Sequence, residues 1–349
     1  MTLPRGATIG ILGDGQLGRL LAQAAQRRGY QVHGFGQDRR SPLSQVTSAF
    51  TCAQFDDVAA LQSFAQACDL VTAEFESVPL QALETTACQP AASIFALAQD
   101  RVKEKQAALE AGLQPAPFFA IESLAELETA LGDVGGQGIL KTRRLGYDGK
   151  GQWYIDPATN LHRLWSETPQ SDLILEGLVP FAFETSALVA RNAAGQTTTF
   201  PCGENIHRGG VLHQSVVPGR VTPEIQSKAQ DWARDLAISL GLQGLLAVEF
   251  FVLADASLVF NEMAPRPHNS GHWTLEGCDQ SQFDVAISAL LGEDLHPPVQ
   301  LAPATMTNIL GEAILTPQTG PRAYWHDYGK PQPKPGRKMG HVTLIQLDV

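Results

Sequence analysis

The 349 residues are 44% hydrophobic and 17% charged, the composition of a globular protein with room for two or three domains that each bury a core. A formal net charge of −11 argues against a general nucleic-acid surface, while leaving room for basic residues gathered locally around a phosphate. The apolar run Ala7–Leu12 is too short for a signal peptide and leads straight into Gly-Asp-Gly, and no stretch approaches the roughly 20 apolar residues of a membrane-spanning helix. The five cysteines are odd in number and form no CxxC pair. They read as free, mostly buried thiols of a reducing cytoplasm and give a zinc site little support.

The first 75 residues alternate short apolar runs with helical patterns. Strands are expected at Thr8–Leu12, Gln31–Gly36 and Leu70–Glu74, and helices at Gln16–Arg28 and Asp57–Ala67. That is a βαβ arrangement with a parallel sheet, in which ligands sit beyond the carboxyl ends of the strands. A helix from about Gln99 to Ala111 should stop at Gly112, and Pro115 and Pro117 then mark a boundary. Beyond it we expect a strand at Gly138–Lys141, a glycine-rich loop over Gly146–Gly151, a helix and a strand at Leu173–Leu175. Residues 183–263 read as mostly antiparallel, with one helix at Pro223–Leu240. The chain is proline-rich from Pro297 and closes on the strand-like "HVTLIQL".

Five segments carry chemistry. In "ILGDGQLGRL", Gly13-x-Gly15-x-x-Gly18 lets backbone N–H groups approach a phosphate at a helix N-terminus. Asp38, twenty residues on, sits where an NAD enzyme places its ribose-binding acid. The loop alone does not choose between a nicotinamide cofactor, another phosphate ligand and a bare tight turn. In "ILKTRRLGYDGKGQ", Lys141 ends an apolar strand and suits nucleotide phosphates as a point charge. Gly146, Gly149 and Gly151 then make a loop carrying Tyr147, Asp148 and Lys150, of the kind that closes a site against water. Taken alone, Glu176 in "LILEGLV" reads best as an edge-strand glutamate.

The fourth segment, Leu246–Thr274, places Glu249 in one apolar strand and Asn261 and Glu262 at the end of a second. A carboxylate buried without a partner is costly, and a divalent cation relieves two of them on neighbouring strands. Oxygen ligands completed by phosphate oxygens suit Mg²⁺. Arg266, His268, Asn269 and His272 follow within seven residues. Each histidine singly reads as structural; the block as a whole reads as a site. Last, Lys330, Lys334, Arg337 and Lys338 concentrate positive charge in an acidic chain, either as a solvated basic surface or as a second anion clamp.

At these residues the sequence resembles the ATP-grasp superfamily. "ILGDGQLGR", "AEFESVP", "AQDRVKEK", "LKTRRLGYDGKGQ", "AVEFF", "NEMAPRPHNSGHW" and "YGK…GRKMGH", in order over residues 8 to 342, resemble the 5-(carboxyamino)imidazole ribonucleotide synthetases, ATP-dependent carboxylases of purine biosynthesis. One departure is visible: the family commonly has three glycines before "QLG", and Asp14 takes the middle place. An acid there repels a bound phosphate unless its side chain points outward.

The resemblance implies an α/β and α+β architecture. A Rossmann-like parallel domain would span 1–112, a central lid 113–180 and a C-terminal mixed-sheet domain 181–349, with a small subdomain from about 297. It implies ATP, Mg²⁺, bicarbonate and 5-aminoimidazole ribonucleotide as ligands, a cytoplasmic homodimer, and neither nucleic acid nor membrane as partner. ATP would contact Arg101, Lys141, Gly146, Tyr147, Asp148, Gly149, Lys150, Gly151, Gln152, Glu176, Gly177, Leu178, Val179, Glu184, His207, Asn261 and Glu262. Glu249 and Glu262 would hold Mg²⁺. The ribonucleotide would sit on Gly15, Gln16 and Leu17 with Glu74, Glu76, Tyr147, Asp148, Lys330 and Arg337. Arg266 and His268 would face bicarbonate, Lys330 would serve catalysis, and Asp148 would orient the substrate amine or accept its proton. Under this reading Asp38 is an accident of βαβ spacing. A Rossmann oxidoreductase, a non-catalytic nucleotide-binding regulator and a formate-dependent glycinamide ribonucleotide transformylase are the rival readings; the first leaves Lys141, Glu249, Glu262 and the Arg266–His272 block unexplained.

Overall fold

The structure, a computed structural model, describes residues 3–146 and 151–346. It begins with β1 (Thr8–Leu12), α1 (Gln16–Arg27), β2 (Gln31–Gly36), β3 (Ala49–Cys52), α2 (Val58–Gln66) and β4 (Leu70–Ala73). The four strands form a parallel sheet in the order β3-β2-β1-β4. The apolar run of β1 packs on both faces, as parallel strands do, and α1 lays Leu17, Leu20, Leu21, Ala24 and Ala25 into the core. The expected strands and helices are present within a residue or two. The strand β3 is additional.

Three helices follow: α3 (Leu80–Thr85), α4 (Ala92–Ala98) and α5 (Arg101–Glu110). The helix expected from about Gln99 to Ala111 is present within two residues. Asp100 is not helical; its carboxylate accepts the N–H groups of Val102 and Lys103, so it caps α5 and the helix proper starts at Arg101.

Next come β5 (Phe118–Ile121), α6 (Leu124–Asp133), β6 (Gly138–Thr142), β7 (Gln152–Ile155), α7 (Leu161–Ser166) and β8 (Leu173–Gly177). Their antiparallel sheet runs β5-β8-β6-β7. β8 is therefore an inner strand, and the edge-strand reading of Glu176 is overturned. β5, α6 and β7 were not foreseen: β5 is only four residues long and partly covered, which leaves little alternation to read.

The remainder is built on one antiparallel sheet of nine strands: β9 (Phe183–Arg191), β10 (Thr197–Thr199), β11 (Gly203–Arg208), β12 (Val211–Val217), β13 (Gly244–Val252), β14 (Leu258–Ala264), β15 (Ala304–Leu310), β16 (Ala323–Asp327) and β17 (Lys338–Ile345). The order is β14-β13-β9-β11-β12-β15-β17-β16, with β10 beside β9. Helix α8 (Pro223–Ser239) covers β9 and β13, while α10 (Gln282–Leu291) packs on the opposite side against β13 and α1, and α9 (Thr274–Gly277) against β17. All five cysteines are free thiols. No helix among the described residues is long and apolar enough to cross a membrane.

Candidate active site

The glycine loop ends β1 and opens α1, as expected, but a carboxyl group already sits in it. Glu74, at the end of β4, accepts the N–H of Gly15 at 2.7 Å and of Gly18 at 3.0 Å. A Cβ on Gly13 or Gly15 would collide with the Glu74 side chain, so these positions are small because a glutamate lies against them. Gly13 also has φ +113°, a value that L side chains avoid. In this structure the Glu74 carboxyl stands where a phosphate was expected on these two amides. Burial pushes the Glu74 carboxyl up, and the two amides work against that.

Asp14 does point away from the loop. Its Oδ2 accepts the N–H groups of Gln37 and Asp38 at 3.0 and 3.2 Å. Asp38 in turn accepts the Arg40 N–H at 2.8 Å, so the residue at ribose-acid spacing caps its own turn.

Across the molecule, Lys141 on β6 reaches Glu176 on β8: Nζ lies 2.9 Å from Oε2. Lys105 on α5 lies 3.3 Å from Oε1 of the same carboxylate. Burial would raise the Glu176 carboxyl, but the two ammonium groups overcome it and hold it down at about 2. Arg101 donates to the carbonyls of Thr142 and Gly146 at 2.7 and 2.8 Å, which ties α5 to the root of the glycine-rich loop. Gly151, at φ +68°, closes the other root, and Gln152 pairs with Lys141 in the ladder. Tyr147, Asp148, Gly149 and Lys150 lie outside the described residues. Gly177 ends β8 with its N–H on the Pro117 carbonyl at 2.8 Å, and Leu178 and Val179 continue it as a partly exposed edge.

The large sheet supplies the facing wall. Glu184 on β9 holds His207 Nδ1 on β11 at 2.6 Å. Burial alone would lower the His207 imidazole; its bond to Glu184 and the charges of Glu249, Glu184 and Glu262 carry it above its ordinary value. Glu249 on β13 stands opposite Glu262 on β14. Burial, and then the Glu262 charge, push the Glu249 carboxyl up to about 8. Asn261 precedes Glu262, and its carbonyl receives Lys105 Nζ at 2.9 Å.

The block after β14 joins both ends of this cleft. Arg266 pairs with Glu76 of the N-terminal domain through Nε and Nη2. Burial would raise the Glu76 carboxyl, but the Arg266 guanidinium holds it below the usual carboxylate range. Two residues on, His268 places Nε2 3.2 Å from Glu249 Oε1. Its Nδ1 accepts from the Ser270 main chain and meets Ser270 Oγ at 2.8 Å, an arrangement that assigns the proton to Nε2. Burial and the neighbouring cations hold this imidazole neutral.

The basic segment is partly built in. Lys330 Nζ donates to the Lys338 carbonyl at 2.6 Å and lies 5.5 Å from the Tyr328 ring centroid. The carbonyl of Gly329 receives Gln45 Nε2 at 2.7 Å, and Arg19 of α1 donates to Gln45 Oε1 at 2.7 Å. Arg337 donates to the Gln332 carbonyl at 3.3 Å. Lys330 is thus moored to the element that carries Gly15, Gln16 and Leu17.

Sequence reasoning missed Lys105, Glu104 and Gln282. The first two carried a signal. In "RVKEKQAALE" the positions of Arg101, Glu104, Lys105 and Ala108 share one helix face, and a charged stripe on the buried face of a helix asks for partners. Glu104 finds one in the N–H of Met263 at 2.6 Å, with its carboxyl pushed up to about 8 by burial. Gln282, at the first turn of α10, gave none.

Three family models cover the chain. Residues 6–99 match the ribonucleotide synthetase preATP-grasp domain, 106–283 the ATP-grasp domain and 304–349 the phosphoribosylaminoimidazole carboxylase C-terminal domain. The N5-carboxyaminoimidazole ribonucleotide synthase of Bacillus subtilis (strain 168) is 40% identical over 98% of this chain and 92% of its own. A crystal structure of N5-carboxyaminoimidazole synthetase from Staphylococcus aureus complexed with ADP superposes with a TM-score of 0.94 at 36% identity, over 100% of this chain and 95% of that one. The Aspergillus clavatus enzyme in complex with ADP and 5-aminoimidazole ribonucleotide gives 0.90 at 29% identity, over 98% and 94%. With three matched domains in order and relatives alike over nearly their whole length, this chain has the ATP-grasp fold and belongs to the N5-carboxyaminoimidazole ribonucleotide synthase family.

Proposed function

We propose that the chain is an ATP-dependent carbon–nitrogen ligase of purine biosynthesis. It carboxylates 5-aminoimidazole ribonucleotide with bicarbonate and yields 5-(carboxyamino)imidazole ribonucleotide, ADP and phosphate. The observation that carries this reading is the span of one short segment. Arg266 bonds Glu76 on the N-terminal side while His268 reaches Glu249 on the nucleotide side, so both substrates meet at these two residues.

Bicarbonate is a poor electrophile. Its oxygen attacks the γ-phosphorus, ADP leaves, and carboxyphosphate forms with phosphate as a good leaving group. The substrate's exocyclic nitrogen then bonds to the carboxyl carbon, directly or as CO₂; phosphate departs and the nitrogen loses a proton. Phosphoryl transfer depends mainly on positioning and charge neutralisation. Lys141 and Arg101 stand at the phosphates, with the base along Glu176–Val179 and the ribose at Glu184 and His207. Arg266 steadies the charge on bicarbonate. His268, held neutral, donates from Nε2. Asp148 orients the amine or takes its proton, and the loop over Gly146–Gln152 excludes water from the intermediate.

Glu249 and Glu262 fit a divalent cation. Burial and the neighbouring Glu262 charge make Glu249 reluctant to ionise, which a cation reverses. Among the described residues no group of three or more His, Cys, Asp or Glu side chains closes around a metal position. Two carboxylates with phosphate oxygens in the other places suit Mg²⁺. When bound it neutralises phosphate charge.

The ribonucleotide rests on Gly15, Gln16 and Leu17 with Glu74 and Glu76. Because Glu74 fills the amide cradle, the phosphate goes to Lys330 and Arg337. Working units are 1–112, 113–180 and 181–349, with a subdomain from 297, acting as a cytoplasmic homodimer; sedimentation velocity reads the last point.

The decisive assay follows ADP release with each substrate omitted. We expect release to require bicarbonate and the ribonucleotide together. Equal turnover with formate in place of bicarbonate, or with no ribonucleotide, sinks the proposal.

A further inference from the structure

Glu176 has two lysines, one per oxygen. Lys141 Nζ lies 2.9 Å from Oε2, and Lys105 Nζ lies 3.3 Å from Oε1. The two differ in how they are held. Lys105 is 2% exposed, donates to the Asn261 carbonyl at 2.9 Å and lies 5.9 Å from the Phe260 ring centroid. Its place in the interior of α5 pins it to both walls of the cleft, β8 on one side and β14 on the other. Lys141 stands at the end of β6, where the glycine-rich loop begins.

One carboxylate needs one counter-ion. A buried carboxylate stripped of its only cation is strongly disfavoured, so with Lys141 alone the lysine would be locked to Glu176. We propose that Lys105 is the standing counter-ion of Glu176 and thereby releases Lys141 to the phosphates of the nucleotide. This rests on the ATP reading above. Lys105 touches no substrate in this account; it is a positioning residue that acts through Glu176 on Lys141. The low-lying Glu176 carboxyl agrees, with Lys105 foremost among the charges that hold it down against burial.

Equilibrium binding of ADP and of adenosine to the full chain tests this in wild type, Lys105→Gln, and Lys105→Gln with Glu176→Gln. Glutamine keeps a donor for the Asn261 carbonyl and removes only the charge. Lys105→Gln should weaken ADP about tenfold or more, the size of one hydrogen bond to a charged group, and leave adenosine unchanged, because Lys141 acts on phosphates alone. The double variant, in which no carboxylate detains Lys141, should recover the wild-type ratio of ADP to adenosine affinity; the ratio is read because Glu176 itself lies along the base. Unchanged ADP binding in Lys105→Gln, equal weakening of adenosine, or no recovery in the double variant overturns the inference. If Lys105→Gln alone does not fold, the double variant, balanced in charge, decides on its own ratio of ADP to adenosine affinity, which a wild-type value supports and a value about tenfold lower overturns. Wild type that fails to bind ADP brings down the ATP reading as well; wild type that binds it while the variants miss the pattern brings down only the role of Lys105.

Discussion

The side-chain amide of Gln282 brackets the main chain of His268. Its Oε1 accepts the His268 N–H at 2.8 Å, and its Nε2 donates to the His268 carbonyl at 2.7 Å. The side chain does what a neighbouring strand would do, and it does so where the chain turns from β14 towards α9. Gln282→Leu leaves the His268 N–H unpaired, at about 1–3 kcal/mol, and its carbonyl with the Gly271 N–H alone. We expect a loss of stability in urea unfolding, and a fall in kcat with KM for ATP unchanged, because His268 loses its aim at Glu249. A variant with wild-type kcat would show that His268 needs no such brace.

The Glu74 carboxyl caps the N-terminus of α1 from within the fold. Glu74→Ala frees the N–H groups of Gly15 and Gly18 at a helix N-terminus, costing about 1–3 kcal/mol for unpaired donors. It also opens an anion site. Inorganic phosphate should then raise the melting temperature of Glu74→Ala more than that of wild type. An equal response in both proteins would mean that phosphate binds elsewhere.

The N-terminal fold was legible because periodicity reports it directly: a buried parallel strand reads as an unbroken apolar run, and α1 carries a clear stripe. The site was legible where residue type implies charge on charge, as at Glu249 and Glu262. It was not legible where a partner comes from far along the chain. Nothing in the glycine spacing announces that Glu74, 56 residues after Gly18, fills the cradle, since a carboxylate and a phosphate ask the same thing of an amide. Glu176 was misjudged for a related reason. Strand order is not written in a strand, and only the order β5-β8-β6 turns an edge position into an inner one.

Glu249 and Glu262 stand opposed in the ladder, and the protein bears that repulsion for function. Glu249→Gln should raise the Mg²⁺ concentration for half-maximal activity at least about tenfold, as loss of one ligand oxygen does. Without metal the same variant should be more stable than wild type, by about 0.5–2 kcal/mol. The gain should be largest at alkaline pH, where both carboxylates carry charge. Unfolding in chelator measures it; a variant less stable than wild type at every pH would contradict the assignment.

His272 gives the last prediction. It is fully buried, with Gln282 Nε2 3.0 Å from its Nδ1 and the rings of Phe283, Tyr328 and His341 around it. Burial first, then the charges of His326, Lys338, Arg266 and Lys330, lower its imidazole to about 3. The unfolded chain therefore binds this proton at the ordinary 6.5 and the folded chain does not. Stability from this group is complete above that value and is lost as pH falls towards 3, by up to about 1.4 kcal/mol per pH unit. His341 beside it is held neutral in the same way, while Glu249 and Glu104, with raised carboxyls, pull in the opposite sense. The clean reading is a difference: between pH 6.5 and 4.5 the unfolding free energy of His272→Phe should fall less steeply than that of wild type, by nearly that slope. Parallel curves across this window would show that His272 accepts its proton in the folded state, with the nearby cations giving way to it.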